Sequence, residues 1–334
     1  MKGRQPLTGL GCALCLELAA LAAPPSARSW GCEGHQIVAL VAERHLSVHT
    51  QREVAALLGP LDTVRRQEEV PRRKSRGRGC NVDLDAFARA SIWADEIRAS
   101  RPATASWHFL DIPRGTKDAR KAESFCGRSG CVTRAIREQV AILQEEGANP
   151  AQRAEALRFV IHFVGDLHQP LHCATNNDRG GNCVPVDFFG RESRQSLRSS
   201  HADYEPNLHA LWDSYILRRS RGRRRVISYA NALEQKFQTE IASWLKADFE
   251  LDNWAWESFE LAQTEAYGKL PTPIPVERPE PVASCRDAND VGERMAALHE
   301  AVGEPYQARA AAVVDEQLAK AGARLALVLN RVWP

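Results

Sequence analysis

Two histidine–aspartate pairs at helical spacing, His162-x-x-x-Asp166 and His209-x-x-x-Asp213, carry the most specific chemistry in this 334-residue sequence. An i, i+4 spacing puts both side chains on one helix face, where an imidazole and a carboxylate can grip one ion. One such pair alone is better explained as an ordinary ion pair. Two of them, with His172 just past the Pro170 break in H-F-V-G-D-L-H-Q-P-L-H, point to a metal centre. Nitrogen and oxygen donors without thiolates suit a catalytic zinc site rather than a closed, Cys-rich structural one. Zinc supplies Lewis acidity and an activated water at neutral pH, which phosphate-ester hydrolysis needs. His168 lies two residues after Asp166, so a continuing helix turns it elsewhere, and it reads as structural. Trp93-Ala94-Asp95 and Trp107-His108-Phe109-Leu110-Asp111 add carboxylates and an imidazole framed by aromatics. Taken singly, those two motifs are equally compatible with core tryptophans that have polar neighbours.

The elements that must position these residues are helical. Ile37, Val38, Val41, Ala42 and His45 share one helix face, and further helical periodicity runs through Val82–Arg98, Val132–Glu146, Ala151–Leu167 and Leu208–Leu217. Ala232–Ala247, Phe249–Tyr267, Asp287–Ala301 and Gln307–Asn330 complete the set, with Asn207 and Asp287 as N-cap candidates. Strand signals are scarce, so the predicted fold is all-α (mainly helical), a single multi-helix domain around one core. Gly190–Tyr204 reads as a surface loop and 271–281 as a Pro-rich extended connector. The Arg-rich stretches Arg65–Arg78 and Arg218–Arg225 suit either solvated loops or nucleic-acid contacts, and neither interleaves aromatics.

At 44% hydrophobic and 26% charged residues, the chain can bury a sizeable core. Its formal charge of +2 leaves no whole-molecule field to draw in polyanions, so any attraction to nucleic acid must be local. Residues 1–29 have the form of an export signal: Lys2 and Arg4, then an apolar stretch from Leu10 to Ala23, then small Ala27 and Ser29 before a cut preceding Trp30. The apolar stretch is too short to span a bilayer, and no later one is long enough. The expected mature domain is therefore 30–334, exported to a periplasmic or extracellular location. Of nine cysteines, Cys12 and Cys15 leave with the signal, and the remaining seven are expected in disulfides rather than on metal. Cys126–Cys131 and Cys173–Cys183 each enclose a short glycine-containing loop that permits a bridge. Cys32, Cys80 and Cys285 remain, leaving at least one thiol without an intramolecular partner.

Taken in order, W-G-C-E-G-H at the expected mature terminus, W-A-D, W-H-F-L-D, H-F-V-G-D-L-H-Q-P-L-H, D-R-G-G-N and N-L-H-A-L-W-D form a set. It resembles the type I nucleases, zinc-dependent single-strand-specific enzymes that share a superfamily with zinc phospholipase C. The resemblance covers essentially the whole mature chain. It implies a mainly helical fold holding three zinc ions. Asp95, His108, His162 and Asp166 would hold one. Asp166 would bridge to a second, completed by His35 and by the α-amine and carbonyl of Trp30. His172, His209 and Asp213 would hold the third and most exposed.

An α-amine can ligate only when deprotonated and when no peptide precedes it, so signal removal would complete the site. By the same resemblance, Asp95 would orient the attacking water or take its proton. Arg98, one turn later, would help stabilise charge on phosphorus, unless it simply faces solvent. Phe109 would stack on an unpaired base, Asp111 would accept from its edge, and Asn182 would help form the pocket; Phe109 as a core residue is the equal alternative. The implied substrates are single-stranded DNA and RNA, cleaved to 5′-phosphate products, and 3′-nucleotides. A monomer without a stable protein partner is expected. Phospholipase C activity and a non-catalytic exported zinc-binding protein are the alternatives. Two departures stand out: Cys32 and Cys173 lie beside expected ligands, and the Gly190–Pro206 loop looks longer than in many relatives.

Overall fold

Every residue of helix α1 (Cys32–Glu43) is buried, including Glu33, His35, Gln36 and Glu43. A helix carrying those polar groups can be wrapped on all sides only if its neighbours satisfy them, so α1 is both the centre of the core and a platform for chemistry. The computed structural model describes residues 30–59, 84–196, 199, 201–277, 282–286 and 300–334. The expected signal segment, Arg65–Arg78, Cys80 and the expected cap at Asp287 lie outside these residues.

The last helix, α12 (Glu304–Val332), runs along α1. A Cβ on Gly322 would come within 2.5 Å of the Val41 side chain, so only glycine allows this approach. Helix α6 (Pro150–Leu167) is buried from Ala156 onward, apart from Arg158, and packs on α5 (Val132–Gln144), α12 and α1. Its start follows the sequence rules: Asn149 accepts from the Ala151 amide, and Pro150 opens the first turn. At Gly165 a Cβ would lie 2.8 Å from His35 Nδ1, so this glycine brings α6 and α1 into contact at the site itself.

The remaining helices are α2 (Val48–Leu58), α3 (Ala86–Ala90), α4 (Trp93–Ile97), α7 (Leu208–Ala210), α8 (Ile216–Arg221), α9 (Val226–Lys236), α10 (Gln238–Trp244) and α11 (Leu251–Leu261). Short 3₁₀ turns at Pro102–His108 and Pro170–Cys173 link them, and a π turn at Leu211–Tyr215 joins α7 to α8. The mainly helical reading holds, with differences in detail. Val82–Arg98 is two short helices in its described part, because Asp85 caps α3 afresh and Ile92 begins α4. Helix α2 was not anticipated. The expected helix over Asp287–Ala301 does not hold at its end: β4 (Glu300–Val302) pairs in parallel with β1 (Val186–Phe188). The surface loop contains a small antiparallel pair, β2 (Arg194–Gln195) with β3 (Tyr204–Glu205).

Cys126 and Cys131 are bridged as expected, but Cys173 is not joined to Cys183. Cys183 pairs with Cys285, 102 residues away, while Cys173 is a free thiol buried in the turn under α11. The folded loop turns Cys183 towards residues 282–286, where the Cys285 amide is already tied to the His201 carbonyl at 2.8 Å. Cys32 is disulfide-bonded as well, which removes it as a thiolate donor. Among the described residues, no helix is long and apolar enough to cross a membrane.

Candidate metal centre

Six separate elements converge on the centre. His35 comes from α1, Asp95 from α4, His108 from the end of the first 3₁₀ turn, and His162 with Asp166 from α6. His172 comes from the second 3₁₀ turn; His209 from α7 and Asp213 from the π turn belong to one continuous helical run. A π turn inside a helix is rare and tends to occur at functional positions.

Three groups of side chains each bring donor atoms within 4.8 Å of one another: His35–His162–Asp166, Asp95–His108–His162 and His172–His209–Asp213. Asp166 is the hub. Its Oδ2 lies 3.0 Å from His108 Nδ1 and 3.2 Å from His162 Nε2, and its Oδ1 lies 3.3 Å from His35 Nε2. Asp95 Oδ1 is 3.8 Å from the same two nitrogens of His108 and His162. In the third group, Asp213 reaches His172 Nε2 at 3.6 Å and His209 Nε2 at 3.4 Å. Bonds of about 2.1 Å at tetrahedral angles would set neighbouring donors about 3.4 Å apart, so these spacings suit a small ion.

Two further observations fit a zinc ion. Asp95 Oδ1, Asp166 Oδ1 and His172 Nε2 are buried without a hydrogen bond among the described residues, an unusual condition for polar atoms that nothing else is to satisfy. Three imidazoles also give one nitrogen to a backbone carbonyl: His162 Nδ1 to Ser91 at 2.6 Å, His172 Nδ1 to His108 at 2.8 Å and His209 Nδ1 to Gly180 at 2.8 Å. Each such bond selects the tautomer whose Nε2 lone pair faces the group, the usual support of a metal-bound histidine.

The electrostatics agree. Burial disfavours the His162 imidazolium, but Asp166 and Asp95 outweigh it and raise its pKa to about 9. Burial lowers His108 to about 4 despite the pull of Asp166. Burial also opposes the Asp166 anion, yet the surrounding imidazoles hold its carboxyl well below the usual range. The pocket thus keeps His108 neutral and able to ligate, while the carboxylates draw a proton to His162 that a bound cation would displace.

Trp30 is fully buried, and its indole donates to the Gly165 carbonyl at 2.8 Å, which sets it on α6 between His162 and Asp166 in sequence. Arg98 is half-buried and donates to the Ala105 carbonyl at 3.3 Å. Phe109 is half-buried. Asp111 is open to solvent, yet crowding by protein and the charge of Asp178 raise its pKa to about 6, against Arg179 and His172. The Asn182 amide donates to the Arg179 carbonyl at 2.8 Å, and its buried Oδ1 has no hydrogen bond among the described residues.

His168 turns away as expected: its Nδ1 bonds the Val164 carbonyl at 2.7 Å, and its Nε2 meets Arg324 at 3.1 Å. Sequence reasoning passed over Gln169, whose buried amide donates to Asp213 Oδ1 at 2.6 Å while its oxygen accepts from the Leu171 amide at 2.5 Å. Its place inside H-Q-P-L-H was the only signal. Asp178 was also missed. It gathers the Asn176 and Gly181 amides and the Tyr267 hydroxyl, and so shapes the loop whose Gly180 carbonyl orients His209.

The sequence matches the family described as S1/P1 Nuclease over residues 30–334, the full span that contains these groups. The chain belongs to the S1/P1 nuclease family. It is 28% identical over 319 residues to Endonuclease 4 of Arabidopsis thaliana, covering 91% of this chain and 89% of that protein. It is 29% identical to Nuclease P1 of Penicillium citrinum over 231 residues, 66% of this chain and 73% of the relative. With Nuclease S1 of Aspergillus oryzae the identity is 26% over 248 residues, 72% of each chain. This S1/P1 family nuclease is thus a hydrolase of ester bonds with a mainly helical fold.

Proposed function

We propose that this S1/P1 family nuclease is an exported phosphodiesterase that holds three zinc ions, cleaves single-stranded DNA and RNA to 5′-phosphate products and removes phosphate from 3′-nucleotides. The observation that carries the reading is the convergence of two inner donor groups that share His162 and each have a histidine within 3.3 Å of Asp166, with the His172–His209–Asp213 group alongside. Zinc would be held by Asp95, His108, His162 and Asp166; by Asp166, His35 and the Trp30 terminus; and by His172, His209 and Asp213. When bound, it supplies Lewis acidity toward phosphate oxygens and a nucleophilic water at neutral pH.

The protein's own groups do the rest. Asp95 orients the attacking water and accepts its proton on a carboxylate that, among the described residues, has no competing hydrogen bond at Oδ1. Arg98, held to the Ala105 carbonyl, supplies a cation toward the phosphate as charge builds on its oxygens. Phe109 offers a ring face to an unpaired base, while Asp111 and Asn182 Oδ1 accept hydrogen bonds from its edge. A duplex hides both the face and that edge, which accounts for single-strand preference. Cleavage before Trp30, whose side chain packs against Gly34, frees the α-amine, so export and activation are one event.

The test is to incubate zinc-loaded mature protein with single-stranded DNA, RNA, a 3′-nucleotide and phosphatidylcholine. Nucleotides bearing 5′-phosphates and free phosphate from the 3′-nucleotide are expected. Release of choline phosphate without nucleotides would overturn the reading in favour of a phospholipase C.

A further inference from the structure

The tip of the hairpin following β1 breaks the ordinary grammar of turns. Phe188 and Arg191 exchange backbone hydrogen bonds at 3.0 and 3.1 Å, enclosing Phe189 and Gly190 as a two-residue turn. Both central residues have positive φ, 49° and 79°, a geometry that favours Asn-Gly or Gly-Gly. A phenylalanine there is unusual, because a bulky side chain is disfavoured in the left-handed region. It is also 41% exposed, one of only three large apolar side chains so exposed among the described residues. Neither local propensity nor core packing accounts for it, and strain of this kind tends to persist where a residue has a use.

Its surroundings suggest the use. The Arg219 guanidinium lies 3.3 Å above the centre of the Phe189 ring. Phe188 meets Phe189 edge-on at 4.8 Å and Tyr215 at 6.0 Å, and Arg191 lies 5.0 Å over the Tyr215 ring. The tertiary structure therefore interleaves aromatics with the Arg218–Arg225 stretch, although the stretch contains none. Glu304 pairs with Arg219 and Glu205 with Arg191, which anchors both guanidiniums in place. Among the described residues, Arg223, Arg224 and Arg225, a few positions further along the chain, have no carboxylate partner and add positive charge to the same Arg-rich stretch. Alternating ring faces and cations are what a single strand needs, bases stacking on the rings and phosphates meeting the arginines.

We propose that Phe189, Arg219, Arg191 and Tyr215 form a docking platform for single-stranded nucleic acid outside the metal centre. Two of its four residues, Tyr215 and Arg219, belong to the helical run that carries His209 and Asp213. Arg219 follows Asp213 by six residues, which is about 9 Å of axial rise at 1.5 Å per residue. On this proposal one strand reaches both the platform and the centre, so that long substrates bind more tightly than short ones.

The proposal rests on the nuclease reading, and its test separates the two. Phe189→Asn removes the ring and suits the turn, so it should not unfold the hairpin. Arg219→Gln leaves the turn untouched. Each is expected to raise KM about tenfold for a long single-stranded oligonucleotide, with kcat preserved, as loss of one stacking contact does. For a dinucleotide, kcat/KM should stay at the wild-type value in both variants, and Phe189→Tyr should behave as wild type on either substrate. Equal losses on long and short substrates, or wild-type KM on the long strand, would overturn the platform alone. Failure of the zinc-loaded wild type to cleave either substrate would overturn the nuclease reading itself.

Discussion

The inner and outer parts of the metal centre are built on different principles. His35, His162 and Asp166 sit on α1 and α6, two helices clamped by the core and brought together at Gly165. Their positions follow from packing, and moving one donor means moving a helix. His172, His209 and Asp213 sit on a 3₁₀ turn, a three-residue helix and a π turn. They are held instead by a web of polar contacts: Gln169 on Asp213, the Gly180 carbonyl on His209 and the His108 carbonyl on His172. The lesson is that the α1–α6 part of the inner site is fixed by core packing, whereas the outer site depends on individual hydrogen bonds. Fixed ions suit positioning of the nucleophile, and an outer ion held by smaller elements suits substrate entry and exit.

The contrast breaks first at Asp166. Asp166→Ala removes the carboxylate that reaches histidines of both inner groups, so two of the three proposed ions should be lost, and activity should fall by at least about a thousandfold, as loss of several kcal/mol of charge stabilisation implies. Arg98→Ala should keep full zinc content. Equal zinc in the two variants, measured by metal analysis, would refute the shared-ligand assignment. Next in size is the terminus. One residue left before Trp30 locks its nitrogen in a peptide bond, so zinc content should drop by one inner ion and activity by about 10- to 100-fold, the scale expected when metal support is lost. Full activity in that protein would contradict an α-amine ligand.

The smallest effect should come from Gln169→Leu, which keeps the bulk of the side chain but frees Asp213. Outer-ion affinity should weaken about tenfold, the low end for removal of a supporting hydrogen bond. Titration with a chelator should then release one ion earlier than in wild type and leave the other two unchanged. Uniform weakening of all three would mean that inner and outer sites are not independent.

These regions also differ in how far the sequence reveals them. The two His-x-x-x-Asp pairs are visible because helical spacing alone brings such residues together, and α6 matches its expected bounds to within one residue. Asn207 caps α7 as its type predicts. The Cys126–Cys131 bridge spans five residues and is legible for the same reason, whereas Cys183–Cys285 spans 102 and is not. Helix α2 went unrecognised because only Thr50 and Val54 of its 11 residues are buried, which leaves no long apolar stripe, and the strand at Glu300–Val302 is too short for a period to register.

The sequence by itself determined the donor chemistry, the helical class and the pairing of donors within one turn of helix, since these depend on residue type and contacts between near neighbours. The proposed export cut before Trp30 is likewise a reading of the sequence alone. Only the tertiary structure decided that Asp166 faces two groups at once, that Gln169 steadies Asp213, that Cys173 stays a buried thiol, and that Phe189 meets Arg219 at the surface. Each of those depends on how separate elements cross. Crossings are set by packing over the whole core, as at Gly165 and Gly322, and no local pattern records them.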